Sequence, residues 1–77
     1  MNSKDYMELA ARMAERAQGL TSPNPPVGSI IVKNGIILSR GFTQPGGKPH
    51  AEIDAINKVK NKKILKNADM YLSLIHI

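Results

Sequence analysis

The sequence of 77 residues contains no cysteine and no tryptophan. Without cysteine the chain has neither disulfide bonds nor thiolate ligands for a metal ion. Its only aromatic residues are Tyr6, Phe42 and Tyr71. Modules that bind nucleic acid usually combine basic groups with aromatic side chains on which bases stack, so this scarcity argues against that class.

Long apolar runs and a hydrophobic leader are also missing. The longest apolar run spans a few residues, which is too short for a membrane helix. Residues 1–5 lead into no apolar segment of the kind a secretory signal requires. These absences predict a soluble, cytoplasmic protein without a membrane partner. With 42% hydrophobic and 22% charged residues, the composition is globular, and the length allows one small domain.

Positive charge is in excess, with 11 Lys and Arg against 6 Asp and Glu, for a net charge of +5. Such a balance suits an anionic partner, such as a phosphorylated metabolite or a nucleic acid. Much of the excess lies in one stretch: Lys58, Lys60, Lys62, Lys63 and Lys66. A simpler interpretation is a solvated helix end, where cations are favoured. The charge alone does not decide between the two.

Hydrophobic periodicity predicts the element order α-β-β-α-β. Residues 4–18 show an apolar stripe at helical spacing, with Asn2 or Ser3 as the cap and Gly19 at the far end. Asn34-Gly35 between two apolar runs predicts a hairpin with strands buried on both faces. The runs cover residues 27–32 and 36–38.

The second half of the chain reads as a helix over residues 50–60 and a third strand over 70–74. A β-α-β step favours parallel pairing of the third strand with the second. Two loops, residues 21–26 and 43–49, are rich in proline or glycine, and the first is stiff and extended. Gly28 in the first strand indicates a close backbone approach, to a neighbouring element or to a ligand.

His50-Ala51-Glu52 opens the second helix at the carboxyl end of the hairpin. Open α/β sheets bind ligands at such ends. A neutral His50 ring can bind a metal there, and Glu52 can transfer a proton between water and a leaving amine. The simpler interpretation is that both are ordinary first-turn polar residues. Since His-x-Glu is common by chance, the surrounding motifs must decide.

Two motifs flank the hairpin: Pro23-Asn24-Pro25-Pro26-Val27-Gly28 before it, and Gly47-Lys48-Pro49-His50-Ala51-Glu52 after Gly41-Phe42. Together they resemble the zinc-dependent nucleoside-deaminase superfamily, and within it the deaminase half of the bifunctional riboflavin-biosynthesis deaminase/reductase. The resemblance runs from about Tyr6 to Tyr71. It implies the α-β-β-α-β portion of the three-layer α/β/α cytidine-deaminase-like fold, truncated in or just after the third strand.

The resemblance also implies residue roles. His50 would be a zinc ligand and Glu52 the catalytic acid/base, while Asn24 would hydrogen-bond the pyrimidine and Gly28 would let the backbone approach the base. The reaction implied is hydrolytic removal of an amine from a diaminopyrimidinone ribosylamine 5′-phosphate, whose charge agrees with the basic chain. The full-length protein is expected to be a homo-oligomer, and NADPH would be needed only by a downstream reductase domain.

The sequence departs from the family pattern at the zinc site and in the second loop. The family's Glu-Pro-Cys step and a later cysteine supply two thiolate ligands, and this chain has no cysteine. The zinc site is therefore incomplete, His76 is not expected to complete it, and the chain as written is expected to be inactive. Thr43 stands where many members carry a histidine after Gly-Phe, so Lys48 becomes the candidate cation for the substrate.

The last six residues also look foreign to the family. Leu-Ser-Leu-Ile-His-Ile is what the codons CTG-TCT-CTT-ATA-CAC-ATC would encode, and that string matches a transposon adaptor used in library preparation, a hypothesis that the coding DNA tests. Residues 1–71 are therefore interpreted as the N-terminal part of a deaminase domain, and residues 72–77 as an adaptor-derived tail. The same reasoning sets His76 aside.

Two alternatives stay open from the sequence. A deaminase of another branch, acting on cytosine, guanine or a tRNA adenosine, would share the His-x-Glu step. A small basic nucleic-acid-binding module without chemistry would explain the lysines but neither motif. The main prediction is a phosphorylated pyrimidine as the small-molecule substrate, with nucleic acid not expected as a partner.

Overall fold

A computed structural model describes residues 2–17 and 26–74. The main elements are helix α1 (Ser3–Ala17), strands β1 (Val27–Lys33) and β2 (Ile36–Phe42), helix α2 (Ala51–Asn57) and strand β3 (Asp69–Leu74). Short 3-10 turns at Pro45–Gly47 and Lys62–Leu65 lie in the connections. The predicted order α-β-β-α-β is confirmed. The predicted roles of Gly19, Asn24 and His76 fall outside the described residues.

Helix α1 begins with a reciprocal cap. The Asn2 side-chain oxygen accepts the Asp5 N–H at 3.1 Å, and the Asp5 carboxylate accepts the Asn2 N–H at 3.0 Å. Each side chain thereby satisfies a backbone donor at the start of the helix, and Asn2 is the capping residue. The buried stripe of α1 consists of Tyr6, Ala10, Met13, Ala14 and Ala17.

The hairpin turns at Asn34-Gly35, as predicted. Both residues have positive φ, 52° and 78°, which is the requirement of the tight turn that matches strand twist. Further along, the register shifts, because Val32 pairs with Ile37 while Ile31 pairs with Ser39. Leu38 is the extra residue of this bulge. The bulge puts Ile37 on one face of the sheet and Ser39 on the other.

The sheet order is β2-β1-β3, and β3 pairs with β1 in antiparallel orientation, from Val27↔Leu74 to Val32↔Asp69. The predicted parallel pairing of β3 with β2 is therefore wrong. The two strands run in the same direction, but β1 lies between them. The crossover rule fixes handedness and does not forbid an intervening strand. The most apolar strand takes the centre, where both faces are covered.

The faces of β1 alternate between the two helices. Ile30 and Val32 pack in one cluster with Tyr6 and Met13 of α1. Ser29 contacts α2 on the opposite face. The arrangement is thus helix, sheet, helix, as predicted, and β1 is buried on both sides. The prediction that both hairpin strands are buried on both faces is wrong at the start of β2. Ile36 lies beside the turn and is 64% exposed.

Within residues 2–17 and 26–74, no helix combines the length and the apolar character needed to cross a membrane.

Candidate active site

The first turn of α2 lies directly on the sheet. Ala51 is fully buried, and its carbonyl oxygen accepts the Ser29 hydroxyl at 2.8 Å. A Cβ on Gly41 would lie 2.5 Å from that same oxygen and 2.6 Å from the Ala55 nitrogen, so the approach requires glycine. One turn later, the Ser39 hydroxyl donates to the Ala55 carbonyl at 2.7 Å. Small residues on β1 and β2 therefore fix where α2 begins.

His50 and Glu52 lie on either side of the buried Ala51. His50 is the residue before α2, with extended backbone (φ −66°, ψ 161°) and no side-chain capping bond, and it is exposed. Its carbonyl accepts the Asp54 N–H at 2.9 Å. Glu52 is half-buried in the first turn. The structure therefore holds the two side chains at one helix end, beyond the carboxyl end of β2.

Asp54 holds the loop that leads to His50. Asp54 is 9% exposed. One of its carboxylate oxygens accepts hydrogen bonds from the Phe42 N–H and from the Gln44 side-chain amide, each at 3.1 Å. The Gln44 backbone N–H donates to the Pro49 carbonyl at 3.2 Å, which closes the loop immediately before His50. A buried carboxylate with several donors is well stabilised. The position of His50 therefore depends on Asp54 as well as on the sheet.

Replacing Asp54 with alanine is expected to lower the free energy of unfolding by about 2–3 kcal/mol, because two half-buried donors lose a charged acceptor. Asp54→Asn should cost less, since its carbonyl oxygen can still accept the Phe42 N–H. Urea unfolding followed by circular dichroism measures both. Lys58→Ala is the control: Lys58 contacts the same carboxylate at 3.1 Å but is half-exposed, so about 1 kcal/mol or less is expected. Equal losses for Asp54→Ala and Lys58→Ala would contradict this role.

Thr43 joins the end of β2 to the start of β1. It is 1% exposed, its hydroxyl oxygen accepts the Val27 N–H at 3.1 Å, and its own N–H donates to the Val27 carbonyl at 2.9 Å. The hydroxyl is therefore buried and engaged with the backbone. A substrate contact from this position is not available to threonine.

The predicted substrate-binding residues have different settings. A Cβ on Gly28 would lie 1.9 Å from the Ala10 carbonyl oxygen, so the close approach that the sequence indicates is to α1. Lys48 is exposed, two residues before His50. Asn24 lies outside the described residues. Substrate contacts by these three residues stay predictions.

A complete zinc site does not fit the side chains present. Across residues 2–17 and 26–74, no three His, Cys, Asp or Glu side chains are grouped closely enough to hold a metal ion. Catalytic zinc takes three protein ligands and leaves one position for water. His50 offers one ligand, and the sequence holds no cysteine to offer another.

The lysine-rich stretch satisfies carbonyl groups in its surroundings. Lys62 donates to the carbonyl of Asn57, the last residue of α2, and to that of Val59, two residues beyond it. Lys58 donates to the Arg40 carbonyl at 3.2 Å. Cations at the carboxyl end of a helix complement its dipole. These contacts support the helix-end interpretation over a nucleic-acid surface.

The three-layer fold and the His-Ala-Glu step at the start of α2 define a cytidine-deaminase-like domain. Residues 1–75 match the family described as the cytidine and deoxycytidylate deaminase zinc-binding region, and the chain belongs to this family. The resemblance seen in the sequence is thereby confirmed.

The relatives point to the riboflavin branch. The riboflavin biosynthesis protein RibD of Aquifex aeolicus is 42% identical over 71 residues, covering 92% of this chain and 19% of that protein. RibD of Escherichia coli is 40% identical over 74 residues, covering 96% of this chain and 20% of that protein. The diaminohydroxyphosphoribosylamino-pyrimidine deaminase of Buchnera aphidicola is 45% identical over 56 residues. The match covers 73% of this chain and 38% of that protein. The chain thus spans about a fifth of these RibD proteins and under two fifths of the Buchnera deaminase.

Solved structures agree with the sequence relatives. The diaminohydroxyphosphoribosylaminopyrimidine deaminase/5-amino-6-(5-phosphoribosylamino)uracil reductase of Thermotoga maritima superimposes with a TM-score of 0.84 at 37% identity, covering 91% of this chain and 20% of that one. RibD of Acinetobacter baumannii gives a TM-score of 0.82 at 33% identity, and the match covers 91% of this chain and 19% of that one. The deaminase fold predicted from the sequence is confirmed.

Proposed function

We propose that this chain supplies the His50–Glu52 part of the active site of a hydrolytic deaminase in riboflavin biosynthesis. The observation that carries the proposal is the anchoring of Ala51 to the sheet, which holds His50 and Glu52 together at the start of α2. The names of the relatives, riboflavin biosynthesis protein and diaminohydroxyphosphoribosylamino-pyrimidine deaminase, support a diaminopyrimidine as the substrate class.

Glu52 is the proposed proton carrier. Its carboxylate can accept a proton from the attacking water and deliver it to the departing amine, which is the work of a general acid/base. Glu52 is half-buried, and its place in the first turn of α2 fixes its backbone. His50 would contribute one zinc ligand. Because no three ligand-type side chains are grouped among the described residues, zinc binding by this chain alone is expected to be weak and its own activity absent.

Substrate binding is proposed to involve Asn24 and Lys48. Lys48 is exposed beside the loop that ends at His50, and the net charge of +5 favours the approach of a phosphorylated substrate. Gly28 would affect substrate binding only indirectly, because the position where its Cβ would stand is occupied by α1. A cytoplasmic location, a homo-oligomeric complete protein and an NADPH-dependent reductase domain further along remain proposals.

A chimera tests the proposal. Residues 1–71 replace the aligned segment of the Thermotoga maritima deaminase/reductase, and ammonia release from the diaminopyrimidine ribosylamine phosphate is measured. The chimera is expected to release ammonia, and the same chimera with His50→Ala is not. Its reductase activity serves as the folding control. A chimera that reduces but does not deaminate would contradict the proposal, and ammonia release from cytosine or guanine instead would favour another branch.

A further inference from the structure

The hairpin turn carries an exposed Asn-Gly dipeptide at the end remote from the candidate active site. Asn34 and Gly35 are both exposed and both have positive φ. They lie beside the Lys33↔Ile36 pair, whereas the loop leading to His50 follows the Gly28↔Phe42 pair at the other end of the hairpin. The proposed function makes no use of these two residues.

We propose that Asn34 is a site of spontaneous covalent modification. The backbone nitrogen of Gly35 attacks the side-chain carbonyl carbon of Asn34, so a new N–C bond forms while the bond to the carboxamide nitrogen breaks. That nitrogen leaves as ammonia, with the Gly35 amide proton as its third hydrogen. One water molecule then opens the cyclic imide, giving aspartate or, by opening at the main-chain carbonyl, isoaspartate.

The attacking nitrogen is unhindered and unused. Gly35 has no Cβ, and no heavy atom lies within 4 Å of where one would be. Among the hydrogen bonds of residues 2–17 and 26–74, none engages the Gly35 N–H or the Asn34 carboxamide. The reaction requires the turn to relax from its left-handed conformation. The turn is restrained by a hydrogen bond from the Tyr6 hydroxyl to the Gly35 carbonyl, which is long at 3.4 Å.

Asn67 provides an internal control within the same chain. It is also exposed and also has positive φ, 63°. The following residue is Ala68, whose Cβ crowds the amide and whose N–H donates to the Leu65 carbonyl at 3.0 Å. The two asparagines therefore share backbone conformation and exposure but differ at the attacking nitrogen. The structure predicts modification at Asn34 and protection at Asn67.

Modification has two consequences that can be measured separately. The new carboxylate lowers the net charge of the chain from +5 to +4. Isoaspartate also adds a methylene to the backbone of a two-residue turn, which mismatches the Lys33↔Ile36 register. Ammonia released in this way is stoichiometric, one per chain, and so differs from catalytic turnover.

The experiment incubates the purified folded chain at mildly alkaline pH, beside a sample unfolded in urea. Peptide mass spectrometry follows Asn34 and Asn67, and methyl transfer by an isoaspartate methyltransferase detects the isomer. The expected result in the folded chain is conversion of Asn34 with an isoaspartate fraction, a new ion-exchange species at charge +4, and intact Asn67. The Asn34→Asp variant, analysed before incubation, marks the position of the charge change alone.

Two results would overturn the proposal. One is an intact Asn34 in the folded chain over a period in which the urea-unfolded chain converts, since the fold would then protect the turn. The other is equal conversion of Asn34 and Asn67 in the folded chain. Neither outcome depends on whether the chain belongs to an active deaminase.

Discussion

Replacing Gly28 with alanine is expected to lower the free energy of unfolding of this chain by about 3 kcal/mol or more. The added Cβ would lie 1.9 Å from the Ala10 carbonyl oxygen and 2.4 Å from the Ala14 nitrogen, both backbone atoms of α1. Backbone atoms cannot turn aside as a side-chain end can, so α1 must move off the sheet. Overpacking costs about 1–3 kcal/mol or more. A domain of this length has only about 4–12 kcal/mol in reserve. Circular dichroism and urea unfolding measure the loss.

Gly35→Ala is the matched control for this substitution. Gly35 has φ +78°, yet nothing lies within 4 Å of an added Cβ, so the cost there is conformational alone. A left-handed alanine costs about 1–2 kcal/mol, and the unfolding transition should stay cooperative. If both variants unfolded at the same urea concentration, the close approach of α1 to Gly28 would not limit stability.

Glu52→Gln in the Thermotoga chimera is expected to lower the deamination rate constant by about 10²–10⁴-fold, which is the usual contribution of a general acid/base. Glutamine keeps the shape and the helix position but can neither take up nor deliver the proton. KM should change little, because the substitution removes proton transfer and leaves binding in place. Steady-state kinetics of ammonia release separate the two parameters.

Glu8→Gln on the exposed face of α1 is the control for Glu52→Gln, since it removes the same charge away from the active site. Its kinetics should match those of the parent chimera. A Glu52→Gln chimera with parental kcat would remove Glu52 from the proposed mechanism. A fall in kcat for Glu8→Gln of the same size would point to a general charge effect instead.

The elements were predictable because their causes are local. The stripe of α1, the Asn34-Gly35 turn and the apolar core of β1 each depend on neighbouring residues in sequence. The sheet order depends on which strand is buried on both faces, and Ile30, Ile31 and Val32 settle that only after the helices are in place. The error over β3 has this origin, since local pattern cannot show an intervening strand.

The candidate site shows the same division between local and long-range causes. His-Ala-Glu is contiguous, so its grouping could be predicted from the sequence. Asp54, Ser29 and Gly41, which orient that step, were missed because their partners are distant in sequence. Ser29 and Gly41 are opposite each other in the β1–β2 register, and two small residues paired in this way are a recognisable sign of a closely packed helix. Asp54 gave no such sign, since it resembles any acidic residue of a first helical turn.

Helix α2 has seven residues, about two turns. A helix this short is not stable in isolation, because the cost of nucleation is recovered only over about 12–15 residues. Its contacts with Ser29 and Ser39 connect residues 22 and 16 positions apart. The relative placement of His50 and Glu52 is therefore a late product of folding, absent from any intermediate that has only local structure, and it appears when the hairpin and α2 come together.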